Sequence, residues 1–87
     1  MTNTSATFPA KQKCLLWYLV DFRSNKGFSP SLREMREFCN ISSTSVVDYN
    51  LSQLETRGYL TRHRVARGIV PTLAGVLMVD EIRKEER

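Results

Sequence analysis

Several residue types that mark common protein classes are scarce in this chain. Its 87 residues include two cysteines, one histidine, four glycines and three prolines. Cys14 and Cys39 lack the spacing of a disulfide framework, so we expect two free thiols in a reducing compartment. One histidine and two scattered cysteines also exclude an obvious zinc site.

Long apolar runs are missing too. The longest extends from Cys14 to Val20, far short of the roughly 20 residues that cross a bilayer, and no secretory signal pattern follows Met1. The sequence has no nucleophile–base arrangement, no glycine-rich phosphate loop and no carboxylate pair in a plausible pocket. These absences predict a protein that is neither membrane-bound nor an enzyme and that uses no cofactor or metal, and no small-molecule ligand is evident from the sequence.

The residues that are present describe one small globular domain. Apolar residues make up 41% of the chain and charged residues 25%, which is ordinary for a folded protein. A chain of this length can form one small hydrophobic core, and few residues remain to line a deep active-site cleft. Residues 1–7 are polar and unpatterned, and we expect them to form a disordered tail.

Helical periodicity and capping residues predict two helices in the first half of the chain. The first covers residues 9–26 and ends at Gly27, which tolerates the left-handed conformation common after a helix C-terminus. The second is short and follows Ser31, which can form a capping box with Glu34.

A third helix is predicted directly after a tight turn. Asn40 suits the turn, Ser42 or Ser43 can cap the new helix, and the helix ends near Arg57. Two short helices joined by such a turn form a helix-turn-helix.

The last third of the chain changes character. Residues 59–62 and 69–70 have strand composition and form a predicted hairpin that Pro71 ends; we call this hairpin the wing. Thr72 can then cap a last helix. The sequence therefore predicts a mainly α fold with a small β-hairpin, a winged helix-turn-helix over residues 8–71 followed by a C-terminal helix over residues 72–87.

Positive charge is concentrated in the wing. The chain has 13 Lys and Arg against 9 Asp and Glu, a net charge of +4. Arg62, Arg64 and Arg67 lie in the wing together with His63 and without an acidic residue. Because a guanidinium binds phosphate bidentately and stays charged, a basic wing behind a helix-turn-helix indicates duplex DNA. Taken alone, the same hairpin would more simply be a solvated one.

A longer pattern of residues runs through this region. It comprises Lys11-Gln12, Gly27, Pro30-Ser31-Leu32-Arg33-Glu34-Met35, Ile41-Ser42-Ser43, Val47, Leu51, Leu54-Glu55, Gly58-Tyr59-Leu60 and Arg67-Gly68-Ile69. Over residues 8–70 the chain resembles the N-terminal DNA-binding domain of LexA-type SOS repressors. The resemblance implies a winged helix whose third helix enters the major groove, in a cytoplasmic protein of bacterial or phage origin.

The resemblance also implies roles for individual residues. Those expected to read bases are Ser43, Ser45, Val46, Asp48 and Tyr49. The resemblance places the wing on backbone phosphates, and we add the residues at the start of the third helix. The residues expected to contact phosphates are Ser42, Thr44, Arg62, His63, Arg64 and Arg67. Ser43 and Ser45 have capping or a phosphate contact as alternatives, and Tyr49 a phosphate contact. Facing DNA, Asp48 would accept a hydrogen bond from a cytosine amino group; stabilisation of the helix N-terminus is its alternative role.

Some positions depart from the family pattern. Pro9 replaces a hydroxyl cap, Arg36 a small alanine and Asn40 a turn glycine. The reading residues differ from those of the familiar SOS repressors, so we expect a different operator. Such repressors carry a second domain that cleaves itself and dimerises. Since the sequence ends at Arg87, we expect no self-cleavage from it.

The first helix is apolar nearly all round, which is typical of a helix buried on two faces. Residues expected to serve helix packing or a dimer are Cys14, Trp17, Val20, Leu73, Val76, Leu77, Val79 and Ile82. We expect the last helix to cover the first, either within one chain or across the two-fold axis of a homodimer. A homodimer would place two reading helices on an inverted repeat, and a monomer is the alternative.

The leading hypothesis is a sequence-specific double-stranded DNA-binding transcriptional regulator, most simply a repressor that occupies a promoter. Two alternatives stay open. One is an adaptor winged helix that binds a protein partner through its apolar last helix. The other is a non-specific duplex binder, for which the serine-rich third helix is permissive.

Overall fold

The computed structural model describes residues 8–85 of the chain. In chain order its elements are α1 (Ala10–Lys26), α2 (Leu32–Phe38), α3 (Thr44–Thr56), β1 (Leu60–Arg62), β2 (Ile69–Pro71) and α4 (Leu73–Glu85). This order confirms the predicted fold class, a mainly α winged helix-turn-helix with a small hairpin and a C-terminal helix. None of the helices in this range is long and apolar enough to cross a membrane. The predicted disordered tail, residues 1–7, lies outside the described residues.

Local capping signals define the ends of the first two helices, as predicted. Gly27 has φ +83° and its N–H donates to the Arg23 carbonyl at 2.9 Å, which ends α1. The capping box at α2 is complete. The Glu34 N–H donates to Ser31 Oγ at 3.1 Å, and the Ser31 N–H donates to Glu34 Oε1 at 2.8 Å. These bonds satisfy backbone groups that a helix terminus otherwise leaves unpaired.

The helix-turn-helix consists of α2, a tight turn and α3. Asn40 takes the left-handed conformation with φ +54°, which an L-residue other than Asn or Asp rarely adopts. Ser43 caps α3 by accepting from the Val46 N–H at 3.3 Å. The side of α3 that carries Val47, Leu51 and Leu54 is fully buried, so the other side of the helix faces outward.

The wing follows α3 as an antiparallel pair of short strands. Leu60 lies opposite Pro71, Thr61 opposite Val70 and Arg62 opposite Ile69. Leu60 and Ile69 are buried, so one face of the hairpin packs on the core. That packing fixes the direction in which the connecting loop projects.

The hydrophobic core is built around α1, which contacts α2, α3, α4 and β2. Leu15, Leu16 and Leu19 are completely buried at its centre. Burying one such side chain contributes about 1.5–3 kcal/mol. The buried apolar side chains of the described residues are Phe8, Leu15, Leu16, Leu19, Met35, Ile41, Val47, Leu51, Leu54, Leu60, Ile69, Val79 and Ile82.

The last helix packs on the first within the same chain. Thr72 Oγ1 caps α4 by accepting from the Gly75 N–H at 3.1 Å. Val79 and Ile82 are each 1% exposed, so they form the inner face of α4. A Cβ on Gly75 would overlap the Tyr59 carbonyl oxygen. The absence of a side chain there lets α4 approach the start of the wing closely.

The expectation of two free thiols is wrong, because Cys14 and Cys39 form a disulfide. Cys14 lies in α1, and Cys39 is the C-cap residue of α2. The two helices bring the Cα atoms to 5.9 Å, within the range that a disulfide spans. A separation of 25 residues gave no local sign of this pairing, since only the packing of α2 on α1 creates it.

Candidate nucleic-acid interface

The outward side of α3 is the centre of the candidate interface. Ser45, Asp48 and Tyr49 are exposed there, with Tyr49 62% exposed although it is a large aromatic residue. They lie at helical spacing opposite the buried side of α3, so they form one continuous surface on its first two turns. Such a surface fits the major groove, which admits an α-helix.

The two other residues assigned to base reading have different surroundings. The Ser43 hydroxyl is engaged in capping α3, and its side chain is half-buried. Val46 is half-buried and packs against the hydrophobic core. The structure therefore brings three of the five reading candidates together on the open surface. The base-reading roles of all five stay predictions.

Two hydroxyl residues flank the start of α3. Ser42 and Thr44 are both exposed beside the N-terminus of the helix. The unpaired backbone N–H groups and the helix dipole at such an end attract anions. This position is compatible with the predicted phosphate contacts of both residues.

The loop of the wing is tight and carries an exposed arginine at its tip. The His63 N–H donates to the Gly68 carbonyl at 2.8 Å, which closes the loop. A Cβ on Gly68 would lie 2.6 Å from the His63 carbonyl oxygen, so the turn requires glycine there. Arg64 is exposed at the tip, and Val65 beside it is 70% exposed.

Arg67 ties the wing to the start of α2. Its Nη1 donates to the Ser29 carbonyl at 3.0 Å and to Glu34 Oε1 at 2.8 Å. Its guanidinium also lies 5.2 Å from the centroid of the Phe28 ring, a cation–π contact. Arg67 thus has a structural role that its predicted phosphate contact did not include, and the phosphate contact stays a prediction.

The same cluster perturbs the carboxyl group of Glu34. The Ser31 N–H and then the Arg67 guanidinium donate to this carboxylate and lower the pKa of Glu34 from its usual range. Hydrogen bonds to the charged form favour ionisation. Glu34 therefore stays charged at neutral pH and holds both the capping box and the wing.

Arg62 is held against the outward side of α3. Its Nη2 donates to Asp48 Oδ1 at 2.7 Å, and its Nη1 to Ser52 Oγ at 3.4 Å. The Arg62 side chain is 25% exposed and that of Asp48 56%. Asp48 is thus paired with a cation of the wing, a third role beside the two that the sequence suggested.

The three wing arginines consequently differ in their surroundings. Arg62 and Arg67 each have a carboxylate partner on a helix. Within residues 8–85 no hydrogen bond or ion pair engages the Arg64 side chain. Among the three wing arginines, Arg64 alone can bind an anion without losing an ion pair to another residue of the described chain. The same part of the chain contains no group of three or more His, Cys, Asp or Glu that would hold a metal ion.

A polar network that the sequence did not predict connects α1 to the inner side of α3, and two of its three side chains, Gln12 and Asn50, are buried. Asn50 Nδ2 donates to the Val46 carbonyl at 2.8 Å, and Asn50 Oδ1 accepts from Gln12 Nε2 at 3.3 Å. Gln12 Oε1 in turn accepts from Arg57 Nη1 at 3.3 Å. The network joins α1 to both ends of α3 and so sets the orientation of the outward side of α3. Two signals were available: Asn50 is a polar residue on the buried side of α3, and Gln12 belongs to the residue pattern of the family.

The residues predicted for helix packing or a dimer fall into two groups. Val79 and Ile82 are buried against α1, while Cys14, Trp17 and Val20 are half-buried. Trp17 stacks on Phe38 of α2, with ring centroids 5.8 Å apart. By contrast, the outer residues of α4 are open, with exposed fractions of 75% for Leu73, 42% for Val76 and 56% for Leu77. We call these three residues the α4 strip.

Comparison with known proteins agrees with this geometry. The family model of the LexA DNA binding domain matches residues 6–68. The chain is 43% identical over 68 residues to a LexA repressor of Roseiflexus sp. (strain RS-1), covering 77% of this chain and 31% of that protein. It is 38% identical over 73 residues to a LexA repressor of Ligilactobacillus salivarius, covering 83% and 35%. The chain thus spans about a third of the length of these bacterial relatives. It belongs to the LexA DNA-binding domain family.

Proposed function

We propose that the chain is a sequence-specific double-stranded DNA-binding transcriptional repressor. One observation carries this proposal: α3 exposes Ser45, Asp48 and Tyr49 on one surface, directly beside the basic wing. Family membership and similarity to proteins named LexA repressor support it. The mechanism is steric, because a protein that occupies promoter DNA keeps other proteins from that site.

In this proposal the two parts of the interface have different tasks. The outward side of α3 enters the major groove and reads base edges, while the tip of the wing approaches the phosphate backbone. Arg64 suits the second task, because it is exposed and its charge is uncompensated within the described chain. The net charge of +4 adds a general attraction to DNA.

In-vitro selection from a random duplex library at near-physiological salt tests this function. The proposal expects a defined motif to be enriched. Binding of duplex DNA without enrichment would indicate a non-specific binder. No binding at all would favour the adaptor alternative, in which the α4 strip docks on a protein.

A charge-matched pair of variants tests the wing. We expect Arg64→Ala to weaken binding to all duplex sequences and to reduce the slope of log affinity against log salt by about 1, because one phosphate contact is lost. Lys84→Ala is the control. It removes one positive charge from α4, where Lys84 lies 3.7 Å from Asp80 and 3.8 Å from Glu81. Equal effects of the two variants on the salt slope would contradict a phosphate contact by Arg64.

We also propose that the protein acts as a homodimer that meets through the α4 strip. The inner face of α4 is already covered by α1, whereas Leu73, Val76 and Leu77 remain exposed. Two copies of one apolar strip can form a self-complementary two-fold contact. A dimer would also place two α3 helices on an inverted repeat, which multiplies affinity.

Sedimentation equilibrium at micromolar concentration tests the dimer. We expect a dimeric species for the wild type and a monomeric one for Leu77→Asp, because a carboxylate in the strip opposes burial. A wild type that sediments only as a monomer would refute the dimer without touching DNA recognition. The motif from the selection supplies an independent check, since a two-fold dimer enriches an inverted repeat.

A further inference from the structure

The first strand of the wing, β1, places an arginine on the outward side of α3. Arg62 donates to Asp48 at 2.7 Å and to Ser52 at 3.4 Å. Asp48 and Ser52 are four residues apart on α3, so the guanidinium lies along one turn of the outward side of that helix. Whatever groove receives α3 therefore also receives the Arg62 guanidinium.

We propose that Arg62 reads a guanine in the major groove and that Asp48 is the positioning residue that holds its guanidinium there. This inference rests on the proposed function. It gives both residues new roles. Arg62 contacts a base instead of a phosphate, and Asp48 accepts a hydrogen bond from Arg62 instead of from a cytosine amino group.

The hydrogen-bond inventory of Arg62 fits this role. A guanidinium has five N–H donors, and the contacts to Asp48 and Ser52 use one on each terminal nitrogen. One N–H on each terminal nitrogen and the Nε–H remain. The O6 and N7 atoms of guanine accept two such donors side by side, the commonest specific contact in the major groove.

The charge of the pair also favours base reading over phosphate binding. An unpaired carboxylate on a groove-facing surface is repelled by the phosphates, whereas the Arg62–Asp48 pair has no net charge. The pair therefore gains little from non-specific attraction to the backbone, and what it offers DNA is directed hydrogen bonding. Binding also costs less side-chain entropy, because the Arg62 side chain is already held in place.

The other wing arginines provide the contrast. Arg67 donates hydrogen bonds to Ser29 and Glu34 at the start of α2. Arg64 is exposed at the tip of the wing. Of the three arginines, Arg62 alone is fastened to α3 by hydrogen bonds to its side chains.

Double-mutant cycles between protein and DNA test the assignment. The motif selected with the wild type supplies the site, and each guanine in it is replaced in turn by the three other bases. Binding of every site is measured for wild type, Arg62→Ala, Asp48→Ala and, as the control, Arg64→Ala. A residue that reads one base is coupled to that base only, while a phosphate contact or a structural residue weakens all sites alike.

We expect the wild type to discriminate by about 5- to 150-fold against replacement of one guanine. Arg62→Ala should abolish discrimination at that position and keep it elsewhere. Asp48→Ala should reduce it at the same position, and Arg64→Ala should preserve it everywhere.

Three results would overturn the proposal while leaving the repressor function intact. One is a loss in Arg62→Ala that is uniform over all sites, as a phosphate contact or a general structural role predicts. Another is coupling of Asp48 to a base that Arg62 does not affect, which would restore direct reading by Asp48. The third is unchanged discrimination in Asp48→Ala. Failure of the wild type to select any motif would instead refute the proposed function, and this inference with it.

Discussion

Reduction of the disulfide between Cys14 and Cys39 should destabilise the protein by several kcal/mol. The bond closes a loop between residues 25 apart in sequence. In the chain-entropy model, closing a loop of this length removes freedom from the unfolded chain worth about 3.5 kcal/mol at room temperature. Whole domains are stabilised by only about 5–15 kcal/mol, so the bond supplies a large share of the total.

Urea unfolding with and without a thiol reductant measures this effect. The free energy of unfolding, extrapolated to zero urea, should fall by about 3.5 kcal/mol on reduction. The urea dependence should steepen, because the reduced chain unfolds to a more open state that exposes more surface.

A variant lacking both thiols supplies the control. Cys14→Ser combined with Cys39→Ser should be close to the reduced wild type in stability and should not respond to reductant. The reasoning would be refuted by a loss on reduction below about 1 kcal/mol, outside the usual 2–4 kcal/mol for a disulfide. It would also be refuted by a serine variant that is as stable as the oxidised protein.

Two further predictions concern the contact between α4 and Tyr59 and the contact between Glu34 and the wing. Gly75→Ala should destabilise the fold by about 1–3 kcal/mol, because the new methyl group overlaps the Tyr59 carbonyl. The control, Ala74→Ser on the exposed side of α4, should change stability by less than about 0.5 kcal/mol. Equal urea midpoints for the two variants would contradict the close approach of α4 to Tyr59. Because the pKa of Glu34 is lowered in the folded protein, its stabilising effect is present at neutral pH and is lost as the carboxyl protonates below its usual range. The wild type should therefore lose its stability advantage over Glu34→Gln between pH 7 and acid, and a constant difference between their urea midpoints would argue against this linkage.

Local signals in the sequence were sufficient for the elements and their ends. The capping box of Ser31 and Glu34, the left-handed Asn40 and the cap at Thr72 all depend on residues at most four apart. Such interactions follow from helix geometry and do not need the rest of the fold. The outward side of α3 followed in the same way, because helical spacing of its apolar residues shows which side is buried.

The surroundings of individual site residues were beyond the reach of these rules. The resemblance implied base reading by Ser43 and Val46, and these roles stay predictions. Helix spacing did not show that Val46 is half-buried and packs against the core. The sequence also grouped Arg64 and Arg67 as equal phosphate contacts, although Arg67 is tied to the start of α2. The sequence shows how many charged residues the wing contains. Which residue each of them pairs with depends on which distant parts of the chain pack against the wing.

The sequence by itself therefore determined the helices, the turn, the basic wing and the outward side of α3, since each depends on near neighbours along the chain. Only the tertiary structure decided which distant residues meet. It joined Cys14 to Cys39 and placed Arg62 on Asp48, 14 residues earlier. Those pairs depend on the angles at which α2 packs on α1 and β1 packs on α3. The packing angles arise from the combined burial of many side chains, which no short stretch of sequence contains.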